Sequence, residues 1–148
     1  MTTEEAASPW LLPLVVVLFA IIFPLFWCGV IWLIAQLSGW GALAQVYRTD
    51  QTPTGKHWSW QDGMVGWAGY NGILTLTANE QGLFMETMWL FRFGNPRLFI
   101  PWRDFHETKI VHFFFRRQVR AKIGLPARAT LRLPAAVFEQ SEGSKLLA

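Results

Sequence analysis

Apolar and polar positions follow two regimes along this chain. From Trp10 to Leu37 the sequence WLLPLVVVLFAIIFPLFWCGVIWLIAQL runs for 28 residues without a charge, and Gln36 is its one strongly polar side chain. About 20 apolar residues cross a hydrocarbon core roughly 30 Å thick, so the run predicts a transmembrane helix over 10–37 with length to spare. Eighteen of the 28 positions are Leu, Ile, Val or Phe. Each is worth about −0.3 to −0.6 kcal/mol at a helix centre, an upper bound near −5 to −11 kcal/mol in all. Pro24 falls mid-span, removes a backbone hydrogen bond and predicts a kink. Trp10 and Trp40 bracket the run about 45 Å apart at 1.5 Å per residue, a spacing that predicts a pair of membrane anchors at the two interfaces.

Beyond the span the period changes. Residues 1–9 form a short polar tail. Residues 38–57 hold a juxtamembrane helix, ALAQVYR, with Leu43, Val46 and Tyr47 on one side and the headgroups as its expected neighbour. The polar linker TDQTPTGKH follows it. From Trp58 to the end, a small β-domain is predicted. Ile73 to Ala78 alternates, Asn79 to Gly82 turns, and Leu83 to about Phe93 returns as a strand apolar on both faces. Leu98 to Trp102 makes a brief strand that Pro101 places at an edge or an end. Lys109 to Phe115 reads as a further strand.

The clearest pair comes next. Along 116–123, Arg116, Gln118, Arg120 and Lys122 alternate with Val119, Ala121 and Ile123. After the Gly124-Leu125-Pro126 turn, Arg128, Thr130 and Arg132 alternate with Ala129, Leu131 and Leu133. One face is apolar and the other basic. Pro134 suits a first helical position, so a short terminal helix runs to about Glu142.

Charge sharpens this picture. The net charge is +3, but 103–132 carries eight basic residues against Asp104 and Glu107, and the remainder of the chain is negative. No Lys or Arg precedes the span, whereas Arg48 and Lys56 follow it, so the positive-inside rule places the N-terminus outside and the C-terminal domain in the cytoplasm. A cleavable signal peptide is the competing reading, with Ala42-Leu43-Ala44 as a small-x-small site. Glu4 and Glu5 in place of a basic leader, and an apolar run far longer than an h-region, argue against it. The single cysteine, Cys28, lies inside the span, so the domain holds no disulfide.

Gly82-Leu83-Phe84, Phe99-Ile100-Pro101-Trp102-Arg103-Asp104-Phe105, Trp40-Gly41-Ala42-Leu43-Ala44 and Phe91-Arg92-Phe93 resemble short motifs of uncharacterised bacterial single-span membrane proteins with a pleckstrin-homology-like or GRAM-like β-domain. The resemblance spans about 40–134. It implies one transmembrane helix followed by about seven antiparallel strands in a pleckstrin-homology-like half-barrel closed by a short C-terminal helix. It brings no activity with it. Members of the wider class bind phosphoinositides through a basic loop between the first strands, and Met64 to Asn71 contains no Lys or Arg.

The chemistry-bearing residues support no catalytic reading. His57, His106 and His112 are too dispersed for a zinc site, which needs three or four converging ligands. Asp104 with Glu107 or Glu86 has no nucleophile, oxyanion donors or phosphate loop beside it, so no enzyme and no cofactor is expected. The functional candidate is the basic face of Arg116, Arg120, Lys122, Arg128 and Arg132, where like charges repel unless an anionic partner is near. An acidic surface of another membrane protein subunit would answer it, with this chain as an accessory subunit of a larger assembly. The alternative is a sensor of anionic lipid at the inner-membrane surface. Nucleic acid is not expected, because no aromatics interleave the cations for base stacking.

Overall fold

The computed structural model describes residues 8–147, so residues 1–7 of the N-terminal tail lie outside the described part. Helix α1 (Leu11–Ser38) runs unbroken through Pro24 and ends at Gly39, whose φ of 114° is left-handed. At 1.5 Å per residue it is about 42 Å long, some 12 Å more than a hydrocarbon core requires. The two ends of the helix differ accordingly. Leu11 to Phe26 exposes apolar side chains on every side, whereas Ile31, Ala35 and Ser38 are buried against the rest of the chain.

Gly39 turns the chain into α2 (Trp40–Tyr47). Seven strands follow: β1 (Lys56–Val65), β2 (Ala68–Ala78), β3 (Gly82–Thr87), β4 (Leu98–Pro101), β5 (Phe105–Phe113), β6 (Arg116–Ile123) and β7 (Ala129–Pro134). They form one antiparallel half-barrel in the order β4-β3-β2-β1-β7-β6-β5. Two meanders are thus joined where β1 meets β7, through Met64↔Arg132 and Val65↔Leu131. The short helix α3 (Ala135–Glu139) closes the fold. Strands β6 and β7 follow the alternation in their sequence: Val119, Ala121, Ile123, Leu131 and Leu133 are buried, while Arg120 and Lys122 are exposed.

The core lies between the sheet and the two short helices. Trp40 and Leu43 of α2 are fully buried, as is Val137 of α3, and the rings of Trp102, Phe105 and Phe138 meet at tilted to edge-on angles with centroids 5.3–5.8 Å apart. This corrects the expected place of 38–57. α2 packs Trp40, Leu43 and Tyr47 into the core of the β-domain and leaves Val46 exposed, so the packed domain includes residues from Trp40 onward and not only from Trp58. Trp40 is accordingly not an interfacial membrane anchor. Its ring packs 5.2 Å from Tyr70, and its Nε1 donates to the Pro96 carbonyl at 3.0 Å. An amphipathic octamer buries its apolar stripe against an apolar neighbour, and here Leu43 and Tyr47 find one in the open side of the half-barrel.

Three boundaries also differ from expectation. The strand after the β2–β3 turn stops at Thr87, and Trp89–Phe91 forms a single 3-10 turn instead of continuing it. The strand expected over 109–115 is β5, which begins at Phe105 and turns at Phe114 and Phe115. The terminal helix ends at Glu139, and a second 3-10 segment, Glu142–Leu147, follows it.

Domain and helix are packed together rather than tethered. Trp67, in the β1–β2 turn, donates its Nε1 to the Leu37 carbonyl at 3.1 Å. Gly66, in the same turn, has φ 58° and lies so close to the end of α1 that a Cβ would sit 2.0 Å from the Ser38 carbonyl oxygen. Only glycine accommodates both demands.

Candidate functional site

The register of the β5–β6–β7 meander decides which cations meet. Lys109 of β5 pairs with Arg120 of β6, and Arg120 with Arg132 of β7. Paired residues of antiparallel strands share a face with Cα atoms about 4.5–5.5 Å apart, so these three cations form one row across the outer face. Among the described residues none of the three has a carboxylate within ion-pair distance. Arg132 is the most confined. Its guanidinium lies 5.8 Å from the Phe113 ring centroid and donates to the Met64 sulfur at 3.7 Å, while its buried Nε has no partner.

The five residues expected to make the basic face divide accordingly. Arg120 and Arg132 lie in the unpaired row. Arg116 is neutralised by Asp62 of β1. Lys122 holds Glu107 at 2.7 Å, and this hydrogen bond keeps the Glu107 carboxyl below its usual range. Arg128 precedes β7, in the β6–β7 turn beside Gly39 and Gly124. Lys109 is the member missed from the sequence, because its partner depends on where the β5–β6 turn falls.

That turn is the second part of the site. Phe113 pairs with Arg116, so Phe114 and Phe115 are the two central residues of a hairpin, and both are left-handed with φ of 46° and 66°. A two-residue turn of this handedness ordinarily carries Asn-Gly or Asp-Gly. Two phenylalanines there cost of order 1–2 kcal/mol each and place bare rings in solvent: Phe114 is 79% and Phe115 105% exposed. The rings of Phe113 and Phe114 meet edge to face at 4.5 Å. Phe113 thus links the aromatic tip to the cationic row. The tip stands about 23 Å along β6 from Ile123, whose pairing partner Ala129 lies against the α1–α2 junction at Gly39. Between tip, β1 and β2 lies an open cleft of about 520 Å³ bordered by Met64, Asn71 and the buried Gln118, whose Oε1 has no partner.

Asp104, Glu86 and His57 are engaged in structure. Asp104 accepts a 2.9 Å hydrogen bond from the Tyr47 hydroxyl, and burial, followed by this bond, pushes the phenol up to about 12. Glu86 pairs with Arg97. The two ring nitrogens of His57 lie 3.1 Å from Thr77 Oγ1 and 2.8 Å from Ser59 Oγ. Among the described residues no group of His, Cys, Asp and Glu converges on a metal position. Trp10, the other expected anchor, is exposed at the start of α1. Comparison of the chain with protein-family models, curated proteins and solved structures finds no match.

Proposed function

We propose that this chain is a non-enzymatic, single-span protein of the bacterial inner membrane, with its N-terminus outside and its β-domain in the cytoplasm. It serves as an accessory subunit that docks a partner membrane protein. The observation that carries this reading is the strained, solvent-exposed Phe114–Phe115 turn beside the unpaired row Lys109, Arg120 and Arg132. Backbone strain persists where something other than stability maintains it. Rings flanked by cations fit an apolar pocket rimmed with carboxylates on another protein, because aromatic anchors supply most of the affinity and rim charges steer the encounter.

The membrane reading has its own support. The first half of α1 is apolar on all sides and lies bare of protein, which suits lipid as its surroundings. Cleavage after the Ala42-Leu43-Ala44 motif would cut α2 and discard Trp40 and Ala35, both fully buried. Retention of α1 therefore suits the fold better than its removal. The seven strands and closing helix accord with the pleckstrin-homology-like resemblance, which bears on role by analogy alone.

A second reading, anionic lipid bound by the same face, is favoured by the lack of ion pairs along the row, since each cation near an acidic leaflet gains about 1 kcal/mol. Native purification in mild detergent with a salt wash separates the two. The accessory-subunit reading expects stoichiometric membrane subunits that disappear in Phe114→Ser/Phe115→Ser and in Arg120→Glu/Arg132→Glu. A lone chain carrying acidic lipid, lost in the arginine variant alone, would transfer the function to the lipid reading.

A further inference from the structure

The loop between β3 and β4 carries the sequence Met88-Trp89-Leu90-Phe91-Arg92-Phe93-Gly94, and three of its large apolar side chains are exposed. Trp89 is 71%, Leu90 43% and Phe93 64% exposed. A soluble domain gains nothing from such a loop, but this one lies against α1. The Phe91 ring is 5.7 Å from that of Trp27, and Gly94 touches the backbone of Ile31 and Trp32.

Position along the helix supplies the depth. If the hydrocarbon core begins at Leu11, about 30 Å at 1.5 Å per residue ends near Ile31. Trp27 is then still within the core, and the loop that contacts Trp27 through Trp32 lies at the boundary between acyl chains and headgroups. Tryptophan is enriched at this boundary, and tryptophan, phenylalanine and leucine beside a basic residue are the composition of segments that lie in it. The charge of Arg92 is directed back toward the domain. Its Nε donates to the Thr87 carbonyl at 3.4 Å, and its side chain borders a cleft shared with Arg48 and Arg97. The cationic end of the loop thus lies on the headgroup side of its aromatic end.

We propose that Trp89, Leu90 and Phe93 insert into the cytoplasmic leaflet beside α1, as a second membrane element that sets the height and tilt of the β-domain on the bilayer. The inference rests on the reading of α1 as a span. A single helix leaves the domain packed on it free to tilt relative to the membrane plane. A second contact to one side of the helix restrains that tilt, and the Phe114–Phe115 tip and cationic row are then held at one height and inclination toward a neighbour in the same membrane.

The test uses the full chain with Cys28→Ser, reconstituted in vesicles of phosphatidylcholine and phosphatidylglycerol. Spin labels are placed singly at Leu90→Cys, Phe93→Cys, Val16→Cys and Ser144→Cys, and collision with oxygen is compared with collision with a water-soluble nickel chelate. The proposal expects the oxygen-to-nickel ratio at Leu90 and Phe93 to exceed that at Ser144 several-fold and to fall below that at Val16. With Val16 in lipid, a ratio at Leu90 and Phe93 equal to that at Ser144 overturns the loop insertion and leaves the span intact. Protection of both loop labels from both reagents also overturns it, since protein would then cover the loop. A water-like ratio at Val16 overturns the span reading and the loop insertion with it. Thermal unfolding of each labelled variant in detergent identifies any that has lost its fold, and Leu90 and Phe93 report independently.

Discussion

Gly94 lies directly against the backbone of Trp32: a Cβ at this position would fall 2.6 Å from Trp32 Cα and 3.0 Å from its amide nitrogen. No side chain can yield there, so Gly94→Ala must separate the β3–β4 loop from α1. Overpacking of this kind costs about 1–3 kcal/mol. Gly29, on the same helix, has nothing within 4 Å of its would-be Cβ, and Gly29→Ala should be neutral or slightly stabilising. Unfolding in detergent compares the two variants, and equal midpoints would show that the loop does not pack on the helix.

Trp40 and Trp10 look alike in sequence and should behave differently. Trp40 is fully buried and Trp10 is exposed. Trp40→Ala is expected to cost about 3–5 kcal/mol of domain stability, whereas Trp10→Ala should leave the domain's unfolding unchanged. By the same argument a fragment beginning at Trp58 lacks α2 and should expose core surface, while one beginning at Ile31 keeps α2 together with the buried Ile31 and Ala35 and should fold. Dye binding and amide-exchange protection of the two fragments check this, and a well-protected Trp58 fragment would refute the core role of α2.

At the hairpin tip, stability and binding are expected to move in opposite directions. Phe114→Asn with Phe115→Gly supplies the residues that a left-handed two-residue turn prefers and should stabilise the domain by roughly 1–3 kcal/mol. The same pair removes the exposed rings and should abolish co-purification of the partner. Loss of stability in this variant would mean that the rings serve packing rather than recognition.

Both tyrosines of the chain are buried, and burial raises both phenols, Tyr47 to about 12 with Asp104 as the next cause and Tyr70 by desolvation. A folded-state pKa above the unfolded value contributes stability that is complete below about pH 10 and is lost as the pH climbs through the folded value. Tyrosinate absorbance at pH 10 in the folded protein should therefore stay below that of free phenols, and should grow in together with unfolding at higher pH. In Tyr47→Phe the onset should move, because only Tyr70 then remains to titrate. Half-ionisation of both groups near pH 10 with the fold intact would contradict this.

Local pattern predicted a good part of this molecule. The charge-free run of α1 needs no partner to be recognised, because its length and apolarity meet what crossing a hydrocarbon core requires. In β6 and β7, alternation of Arg120 and Lys122 with Val119, Ala121 and Ile123 is visible residue by residue, since a strand with one buried face repeats every two residues. What such periodicity cannot specify is the material that covers an apolar face. The stripe of Leu43 and Tyr47 suits a headgroup layer and a protein core equally well, and only its docking onto the half-barrel selects the core. The apolar run through Met88 to Phe93 likewise reads as a strand until β4 and α1 bring Gly94 onto Trp32.

The cationic row depends on register in the same way. Lys109 and Arg120 become neighbours only once the chain reverses at Phe114 and Phe115, a dipeptide with none of the chemistry that marks a turn. Asp62 and Glu107, from β1 and β5, then decide that Arg116 and Lys122 are paired while Arg120 and Arg132 are not. Length, period and polarity are properties of neighbours along the chain and are therefore legible in it. Pairing of charges, burial of a stripe and the height of a loop beside a helix are properties of residues far apart in sequence, and these arise only when strand register and helix docking bring them together.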